Sequence, residues 1–470
     1  MKTYKFQVFT AAIEENIRNG AFRPGHKLPS VREIKAQYRI SITTVQSGYE
    51  YLMISGWVES IPKSGYYVSH RMEMPARPSR TRHRPVARDA VFRSNLALTT
   101  SLRMGKKISE FNVAAPGDLL IPQKMLLRTL QQVIREQGAG LLRYYPPDGS
   151  PQLKEKIIQR AAPDHALIRP EELIITDGAL QALYIALATV CTAGDIIALE
   201  SPCVFSVLEV VRVLKLKVVE IPVDPATGFD MDFFDKVCRK NKVKAVVVTP
   251  NFHNPTGSLM TDAQKIKLLA IALQYDITLI ENDIYGDLYF LGQRPAAIKK
   301  FDDSGQVITC SSYAKTLAPG IRLGWLSAGK YAGQAEQVKF ALGSTVSPLY
   351  QETISRLLGG TAYERHLRSL RVKLAKNMFF AINLIATHFP EGTGIIQPSG
   401  GYNLWIKMPD ATDMNNFYQQ CEATGIRFTP GSTFSFTDAY DQCFRLVIAD
   451  VFSPQRTEAI RRLGQRLNFR

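Results

Sequence analysis

Residues Thr309 to Trp325 read TCSSYAKTLAPGIRLGW, and this short stretch combines chemical groups that suit covalent binding of a small molecule. A β-prone run ends in small hydroxylated residues, which are followed by one lysine, a Pro-Gly turn and an arginine. A lysine close to serine and arginine is suited to form a Schiff base with a phosphorylated aldehyde, because its amine is the nucleophile while Ser312 and Arg322 can hold the phosphate. Lys315 is therefore the predicted catalytic residue.

This stretch resembles the S-x-S/A-K-x-x-x-P-G-x-R signature of the fold-type I enzymes that use pyridoxal 5'-phosphate (PLP), the aspartate aminotransferase superfamily. Between residues 111 and 470, β-prone runs alternate with helical stretches, which is typical of an α/β sheet covered on both faces. The resemblance implies an α/β fold-type I aminotransferase-like domain with a large and a small lobe, and PLP as its cofactor.

Other motifs of this region resemble the cofactor contacts of the superfamily. A glycine turn leads from a strand-like run ending at Thr176 directly into a helix, and the free N–H groups of a helix N-terminus bind anions. The resemblance places the cofactor phosphate there. The resemblance also implies that a tyrosine of the partner subunit binds the phosphate and that an aromatic side chain stacks on the pyridine ring. It further implies hydrogen-bond partners for the phenolic oxygen and for the ring nitrogen of the cofactor. The cofactor-binding residues implied are Tyr144, Ala179, Leu180, Phe205, Asn254, Asn282, Tyr285, Ser312, Lys315 and Arg322.

Two positions depart from the superfamily pattern. Val204 stands where a tyrosine usually stacks on the ring, so either Phe205 stacks instead or the ring lies on an aliphatic surface. Asn282 stands where an aspartate usually pairs with the pyridine nitrogen. Either a bulge turns Asp283 toward that nitrogen or the nitrogen meets a neutral amide; we favour the amide, because adjacent side chains of a strand point to opposite faces. A neutral amide predicts weak or no transaminase activity, because the protonated ring is the electron sink.

A strand-like run near the C-terminus, from Cys443 to Ala449, resembles the strand whose arginine binds the α-carboxylate of the substrate. Arg445 is therefore the predicted contact of an amino-acid effector, through a bidentate pair between guanidinium and carboxylate.

The composition restricts the class of protein. A chain of 470 residues is too long for one ordinary core, so two or more domains are expected. No apolar run is long enough to span a bilayer. The six cysteines are scattered, which is typical of reduced thiols in a cytoplasmic protein, and neither they nor the seven histidines suggest a metal site. The net charge of +16 is compatible with binding to a polyanion.

Residues 1–70 follow a different pattern. Apolar residues recur at helical spacing, Ser30 and Glu33 have the spacing of a capping box, and Ser41 begins a third helical stretch. Two short alternating runs then flank a Pro-Lys-Ser-Gly turn at 62–65. Three helices and a β-ribbon predict a winged helix-turn-helix domain.

The sequence from Leu28 to Trp57 resembles the GntR-family regulators, which bind double-stranded operator DNA at promoters. Many of these proteins have an arginine where this chain has Ile42. An aliphatic side chain can contact a thymine methyl group but cannot read guanine. The predicted DNA contacts are Arg32, Ser41, Ile42, Thr43, Thr44, Lys63, which is chosen for its charge, and Gly65 at the tip of the wing.

Residues 71–110 are predicted to be a basic linker, because they are rich in proline and arginine and lack apolar periodicity. Its arginines either contact DNA phosphates or keep a charged tether solvated.

The order of these parts resembles the MocR class of GntR-family bacterial transcription regulators across essentially the whole chain. The resemblance implies a cytoplasmic, homodimeric, DNA-binding regulator that senses an amine or amino-acid effector through an aldimine at Lys315. Two alternatives remain open: an active aminotransferase that carries a DNA-binding domain, and a DNA-binding protein whose second domain has lost PLP and only dimerises.

Overall fold

The computed structural model describes residues 7–61, 64–69, 85–91, 109–164, 168–343, 345–437 and 439–468. These residues form a small helical domain with a β-hairpin, which is followed by an α/β domain of two lobes. Both architectures expected from the sequence are present.

The N-terminal domain consists of three helices and a two-stranded wing. Its elements are α1 (Gln7–Arg18), α2 (Val31–Tyr38), α3 (Ile42–Ile54), β1 (Val58–Ile61) and β2 (Gly65–Val68). The expected capping box is formed at the start of α2, where Ser30 N–H donates to the Glu33 carboxylate (2.5 Å) and Glu33 N–H donates to Ser30 Oγ (3.3 Å). Helix α1 crosses α3 at Gly48, where an added Cβ would lie 2.1 Å from the Phe9 ring, so the crossing requires glycine.

The second domain supplies the remaining elements. Its strands are β3 (Arg88–Asp89), β4 (Ser109–Glu110), β5 (Leu173–Thr176), β6 (Ile196–Ser201), β7 (Lys217–Asp224), β8 (Gly228–Phe229), β9 (Val243–Val248), β10 (Thr278–Asn282), β11 (Val307–Ser312), β12 (Gly324–Ser327), β13 (Gly394–Ile395), β14 (Asn403–Lys407), β15 (Ile426–Arg427), β16 (Thr429–Pro430) and β17 (Cys443–Val447). Its helices are α4 (Gln123–Gln137), α5 (Pro151–Ala161), α6 (Ala179–Val190), α7 (Phe205–Val213), α8 (Met231–Lys240), α9 (Asp262–Gln274), α10 (Ala332–Ala341), α11 (Pro348–Leu358), α12 (Thr361–His388), α13 (Met414–Ala423) and α14 (Pro454–Asn468).

The large lobe is built on a nine-stranded sheet in the order β3-β7-β6-β9-β10-β11-β12-β5, with β8 paired to β7. The pairs from β7 through β11 are parallel, whereas β12 runs antiparallel to both β11 and β5. Strands such as β5 are buried along their whole length, because helices cover both faces of the sheet. The carboxyl ends of the parallel strands therefore meet at one edge, where ligands bind in such folds.

The small lobe contains the antiparallel sheet β13-β14-β17-β16, and β15 pairs with β4 beside it. Phe417, Phe428 and Phe444 pack together in its core, with 4.7 Å between the ring centroids of Phe428 and Phe444. The long helix α12 packs against α14 and leads from the large lobe into this core. Arg445 lies on β17, so the small lobe positions the predicted effector contact.

Two described segments of the stretch expected to be a linker are built into the second domain. Strand β3 pairs antiparallel with β7, with Arg88 opposite Val218, and Ala90 is buried. Strand β4 pairs with β15, with Glu110 opposite Arg427. Residues 71–84 and 92–108 of this stretch lie outside the described residues, as does Lys63.

The N-terminal domain rests on α12 of the same chain. Lys376 Nζ lies 2.8 Å from Glu50 Oε1, which joins α12 to α3. At the end of α3, Gly56 faces Gln397 and Phe379: an added Cβ would lie 3.2 Å from Gln397 Oε1 and 3.8 Å from Phe379 Cε2. Helix α3, which is the recognition helix of the predicted helix-turn-helix, therefore contacts the second domain through its C-terminal end. Its N-terminal end is exposed.

Candidate functional site

A cavity of about 310 Å³ lies at the carboxyl ends of the sheet strands, between the large lobe and β16–β17 of the small lobe. It brings together Ala179, Leu180, Phe205, Asn254, Asn282, Tyr285, Ser312, Lys315, Arg322 and Arg445, all of which the sequence singled out. Motifs spread over nearly 270 positions of the chain thus meet at one site.

Lys315 lies in the turn between β11 and β12. Its Nζ donates a hydrogen bond to the carbonyl oxygen of Ala114 (2.6 Å). Burial, together with the nearby charges of Arg445 and Arg322, lowers the pKa of the Lys315 ammonium to about 8. A substantial fraction of this amine is therefore neutral, and hence nucleophilic, near physiological pH.

An anion-binding corner lies beside this lysine, at the N-terminus of α6. Gly178 adopts φ +90° there, and an added Cβ would lie 2.9 Å from Arg322 Nη2. Arg322 Nη2 donates to Asp177 O (2.9 Å), which holds the guanidinium against the start of the helix. Because the first N–H groups of α6 also point to this corner, a phosphate would meet both the helix N-terminus and a cation. Ser312 Oγ, which donates to Leu323 O (3.1 Å), lines the same corner.

Three further lining residues, Arg445, Asn254 and Tyr285, are connected by hydrogen bonds. Arg445 Nη1 donates to Asn254 Oδ1 (2.8 Å), and Asn254 Nδ2 donates to the Tyr285 hydroxyl (3.2 Å). Burial raises the pKa of Tyr285, so its hydroxyl stays protonated and can donate. Asn254 and Tyr285 are therefore two hydrogen-bond donors that line the same cavity as the lysine.

Arg445 is 1% exposed and has only neutral partners among the described residues. Its Nη2 donates to Asn112 O (2.5 Å) and to Thr429 Oγ1 (3.1 Å), and its Nε has no partner. Burial lowers the pKa of its guanidinium to about 10. A buried cation without a carboxylate is costly, so this position favours an anionic ligand.

Asn282 and Asp283 face different surroundings. Asn282 ends β10, lines the cavity and is 8% exposed, and its Oδ1 accepts no hydrogen bond from any described residue. Asp283 does not line the cavity: its Oδ1 accepts a hydrogen bond from Asn251 Nδ2 (2.9 Å), and its Oδ2 pairs with Arg294. The two side chains lie on opposite sides of the backbone, and the amide is the one that faces the cavity.

Two residues, Val204 and Phe205, lie where a side chain could stack on the cofactor ring. Val204 precedes the first residue of α7, and both it and Phe205 line the cavity. The Phe205 ring also packs against Phe434, with 6.3 Å between centroids. Either the aromatic or the aliphatic surface expected from the sequence is therefore available to a flat ligand.

Tyr144 lies apart from this site. It is 92% exposed and does not line the cavity of its own chain. Leu142 is 88% exposed, and Phe340 and Leu342 are exposed as well. Lys339, which lies between Leu142 and these residues in the chain, donates from Nζ to Pro147 O and so joins α10 to the segment that follows Tyr144.

Sequence reasoning missed the wall formed by Asn112 to Ala115 and the small-lobe residues Thr429 and Thr433. The wall acts mainly through backbone carbonyls, which leave no side-chain signature. His253 is 1% exposed and does not line the cavity, and its Nε2 lies 3.2 Å from Glu200 Oε2.

The described DNA candidates cluster at the start of α3 and on α2. Ser41 caps α3 by accepting a hydrogen bond from Thr44 N–H (3.0 Å), and Ile42 is 47% exposed. Arg32 and Thr43 are exposed, and Gly65 begins β2 with φ +122°.

Among the described residues, no group of three or more histidine, cysteine, aspartate or glutamate side chains could hold a metal ion. No helix in the described part of the chain is long and apolar enough to cross a membrane.

Comparison with known families agrees with this architecture. Residues 115–463 match the family described as aminotransferase class I and II, and residues 7–68 match the gntR family of bacterial regulatory proteins. The HTH-type transcriptional regulator YjiR of Escherichia coli K12 is 33% identical over 466 residues, which cover 98% of each chain. The chain belongs to the MocR class of GntR-family transcription regulators.

A second relative of this regulator, the HTH-type transcriptional regulator YdcR of Escherichia coli K12, is 31% identical over 99% of each chain. Solved structures share the fold of the regulator's second domain. Kynurenine aminotransferase of Pyrococcus horikoshii aligns with a TM-score of 0.75 and 24% identity, covering 80% of this chain and 95% of that chain. The α-aminoadipate aminotransferase LysN of Thermus thermophilus aligns with a TM-score of 0.73 and 23% identity, covering 79% and 94%.

Proposed function

We propose that this regulator binds PLP at Lys315 and senses an amine or amino-acid effector there, and that the liganded state changes its binding to operator DNA. The observation that carries the proposal is the convergence of Lys315, Arg322 and Arg445 in one cavity, each of them without an acidic partner within ion-pair distance among the described residues.

The residues present fit PLP. The N-terminus of α6 and Arg322 suit its phosphate, because helix N–H groups and a guanidinium both bind anions. Asn254 and Tyr285 suit its phenolic oxygen, and Lys315 suits its carbonyl carbon. When bound, PLP supplies an electrophilic carbon and an electron-accepting ring.

The protein's own groups explain how an effector would be recognised. The Lys315 amine, whose pKa is lowered to about 8, exchanges readily with another amine. Arg445 is placed to bind a carboxylate of the effector in bidentate fashion, which would relieve its unpaired burial.

The proposed operator contacts are Arg32, Ser41, Ile42, Thr43, Thr44 and Gly65. Exposure of the start of α3 supports this assignment, because recognition helices of helix-turn-helix domains contact bases with their N-terminal residues. The Ser41 hydroxyl is used to cap the helix, so its contribution would be to hold the N-terminus of α3 toward a phosphate.

We further propose a homodimer in which Tyr144 of each chain reaches the phosphate corner of its partner. The exposed apolar side chains of Leu142, Phe340 and Leu342 support an interface that includes these parts of the chain. Tyr144 is outside its own cavity, which also agrees with a role in the other subunit.

Cofactor capture tests the proposal directly. Adding PLP to the purified protein should produce a visible absorbance band, and borohydride should fix the cofactor on Lys315, as mapped by mass spectrometry. Lys315→Ala should lose both signals, whereas Lys330→Ala, which removes an exposed lysine outside the cavity, should keep them. The capture rate should rise with pH around a midpoint near 8, because only the neutral amine reacts.

Footprinting of the protein's own upstream region, with and without PLP, tests the second half of the proposal. A footprint that changes with PLP supports sensing. A borohydride adduct on another lysine, or the absence of any footprint, would overturn the corresponding half.

A further inference from the structure

The charges of the cavity restrict the chemistry of the effector. The charged residues that line it are Lys315, Arg322 and Arg445, and no aspartate or glutamate lines it within the described part of the chain. Under the proposed function, on which this inference rests, Arg322 serves the phosphate and Lys315 forms the covalent bond. Only Arg445 is then left for the effector, and one carboxylate satisfies it.

Beyond the residues proposed to hold the cofactor, the lining includes the apolar side chains of Val113, Leu183, Val207 and Ile284. An acidic side chain would bring a second anion for which the described lining of this chain holds no second free cation. A basic side chain would be buried without a carboxylate partner. Both arrangements cost free energy, because a buried charge without a partner is strongly unfavourable.

We infer that the effector is an α-amino acid with an uncharged, apolar side chain. Its amine binds at Lys315 and its carboxylate at Arg445, and its side chain lies against the apolar lining.

Matched amino acids test this inference by spectral titration of the PLP-loaded protein. L-leucine should bind at least about tenfold more tightly than L-aspartate, which has a similar shape and a charged end, and L-norleucine should exceed L-lysine by a similar factor. Val113→Arg adds a cation at a half-exposed lining position and should shift the preference toward L-aspartate. Val213→Arg, which is outside the cavity, is the matched control.

The outcomes separate this inference from the proposed function. Failure to capture PLP at all would defeat the proposed function. Normal PLP capture with tighter binding of L-aspartate or L-lysine, or with no spectral response to any of the four amino acids, would overturn the inference alone.

An independent observation concerns helix α12, where one turn contacts both the N-terminal domain and the small lobe, which carries Arg445. Lys376 and Phe379, three residues apart and so on one face, contact Glu50 and Gly56 of the N-terminal domain. The next residues on the helix, Asn377 and Phe380, face elsewhere.

Asn377 Nδ2 donates to Asp450 O (2.8 Å), and the Phe380 ring packs edge-on against Phe452 (5.2 Å between centroids). Both partners belong to the loop that follows β17, the strand that carries Arg445. A single turn of α12 thus contacts both the region of α3 and the loop that follows β17.

The end of β17 and the loop after it are bonded to Phe111 and Gly117, which flank the cavity wall of Asn112 to Ala115. Gly117 N–H donates to Ala449 O (2.7 Å), and Val447 N–H donates to Phe111 O (2.9 Å). This wall holds the two cations of the effector site through carbonyls: Ala114 O accepts from Lys315, and Asn112 O accepts from Arg445. A ligand that engages both cations competes with both carbonyls.

The structure assigns residues 376–380 of α12 the role of coupling ligand occupancy to the DNA-binding domain. Occupation of Lys315 by PLP, and of Arg445 when an effector is also bound, weakens their bonds to the wall and frees it and the 448–452 loop to shift. Asn377 and Phe380 pass this shift to α12, and Lys376 and Phe379 pass it to α3. The two states differ in contacts at the ligand, as coupling between sites requires.

Operator affinity measured without and with PLP, on the protein's own upstream region, tests this coupling. Asn377→Ala should leave PLP absorbance intact and reduce the ratio of the two affinities by roughly two- to tenfold, the range expected for loss of one partly buried hydrogen bond. Glu50→Lys and Lys376→Glu should each reduce the ratio, and the double exchange should restore it. Arg368→Glu, on an exposed part of the same helix, should change nothing.

An unchanged ratio in Asn377→Ala and in both single charge reversals would overturn the assignment. A wild-type protein whose operator affinity is the same with and without PLP would overturn it as well.

Discussion

At the scale of single residues, the side chain of Asn282 is compatible with binding of the proposed cofactor but unfavourable for transamination. It faces the cavity with a free Oδ1, while Asp283 is held by Arg294 and Asn251 on the other side of the strand. A neutral amide cannot hold a ring nitrogen protonated as a carboxylate does, so the electron sink of the proposed PLP is weakened. A sensor benefits from this, because it binds an amine without consuming it.

Asn282→Asp is therefore expected to increase conversion of the bound cofactor to its amine form by roughly ten- to a hundredfold, since a charged hydrogen bond contributes about 1.5–3 kcal/mol. The measurement is single-turnover absorbance of the PLP-loaded protein mixed with an amino acid. Operator binding without an amino acid should stay unchanged, because Asn282 lines a cavity to which no described residue of the N-terminal domain contributes.

Asn415→Asp, which adds the same charge at an exposed position of α13, provides the control. A wild-type protein that already converts its cofactor at an ordinary enzyme rate of about 1–1,000 per second would contradict the prediction and point to Asp283.

Residue types with strict motifs could be placed from the sequence, and residues that act through the backbone could not. The order of the motifs led to Lys315, Asn254 and Arg322, because their chemistry needs particular side chains. Alternation along a strand also favoured the observed orientation of Asn282. The carbonyls of Asn112 and Ala114 act independently of residue type, so no pattern in the sequence marks them.

At the scale of elements, the helix starts of the N-terminal domain carry the proposed DNA contacts. Ser30 and Ser41 fix the starts of α2 and α3 through side-chain caps, and the sequence marked both. Strand β3 was harder to anticipate. It is only two residues long and lies in a basic, proline-containing stretch, and its pairing with β7 depends on a partner more than a hundred residues away.

Arg32→Ala should weaken operator binding and reduce the slope of log affinity against log salt by about one, because one phosphate contact is lost. Arg32 is exposed in the first turn of α2. Fluorescence anisotropy at several salt concentrations measures both quantities. Arg23→Ala, which removes an exposed arginine from the turn before α2, should leave the slope unchanged; equal slopes for wild type and Arg32→Ala would exclude the contact.

At the scale of the whole molecule, the regulator is two folds joined by a basic stretch and by a direct contact between α3 and α12. The sequence predicted both folds, since each has its own periodicity and motifs. It did not indicate the contact between them, because one exposed ion pair and a few apolar neighbours leave no pattern in the chain.

Tyr144 gives the proposed dimer a test at this scale. Its hydroxyl is expected to bind the phosphate of the partner subunit, so Tyr144→Phe should weaken PLP binding by roughly ten- to a hundredfold through loss of a charged hydrogen bond. Tyr145→Phe is the matched control, because the Tyr145 hydroxyl already donates to Glu352 of its own chain (3.1 Å).

Mixed dimers decide whether the tyrosine acts across the interface. In a dimer of one Lys315→Ala chain and one Tyr144→Phe chain, the second chain keeps its lysine and receives an intact tyrosine from the first. One complete site per dimer should therefore form, and doubly tagged mixed dimers should bind PLP with wild-type affinity at half the wild-type stoichiometry. If Tyr144 served its own chain, each site would lack one group and no tight binding would return. A monomeric protein would give the same negative result, and either finding would remove Tyr144 from the cofactor site of the partner.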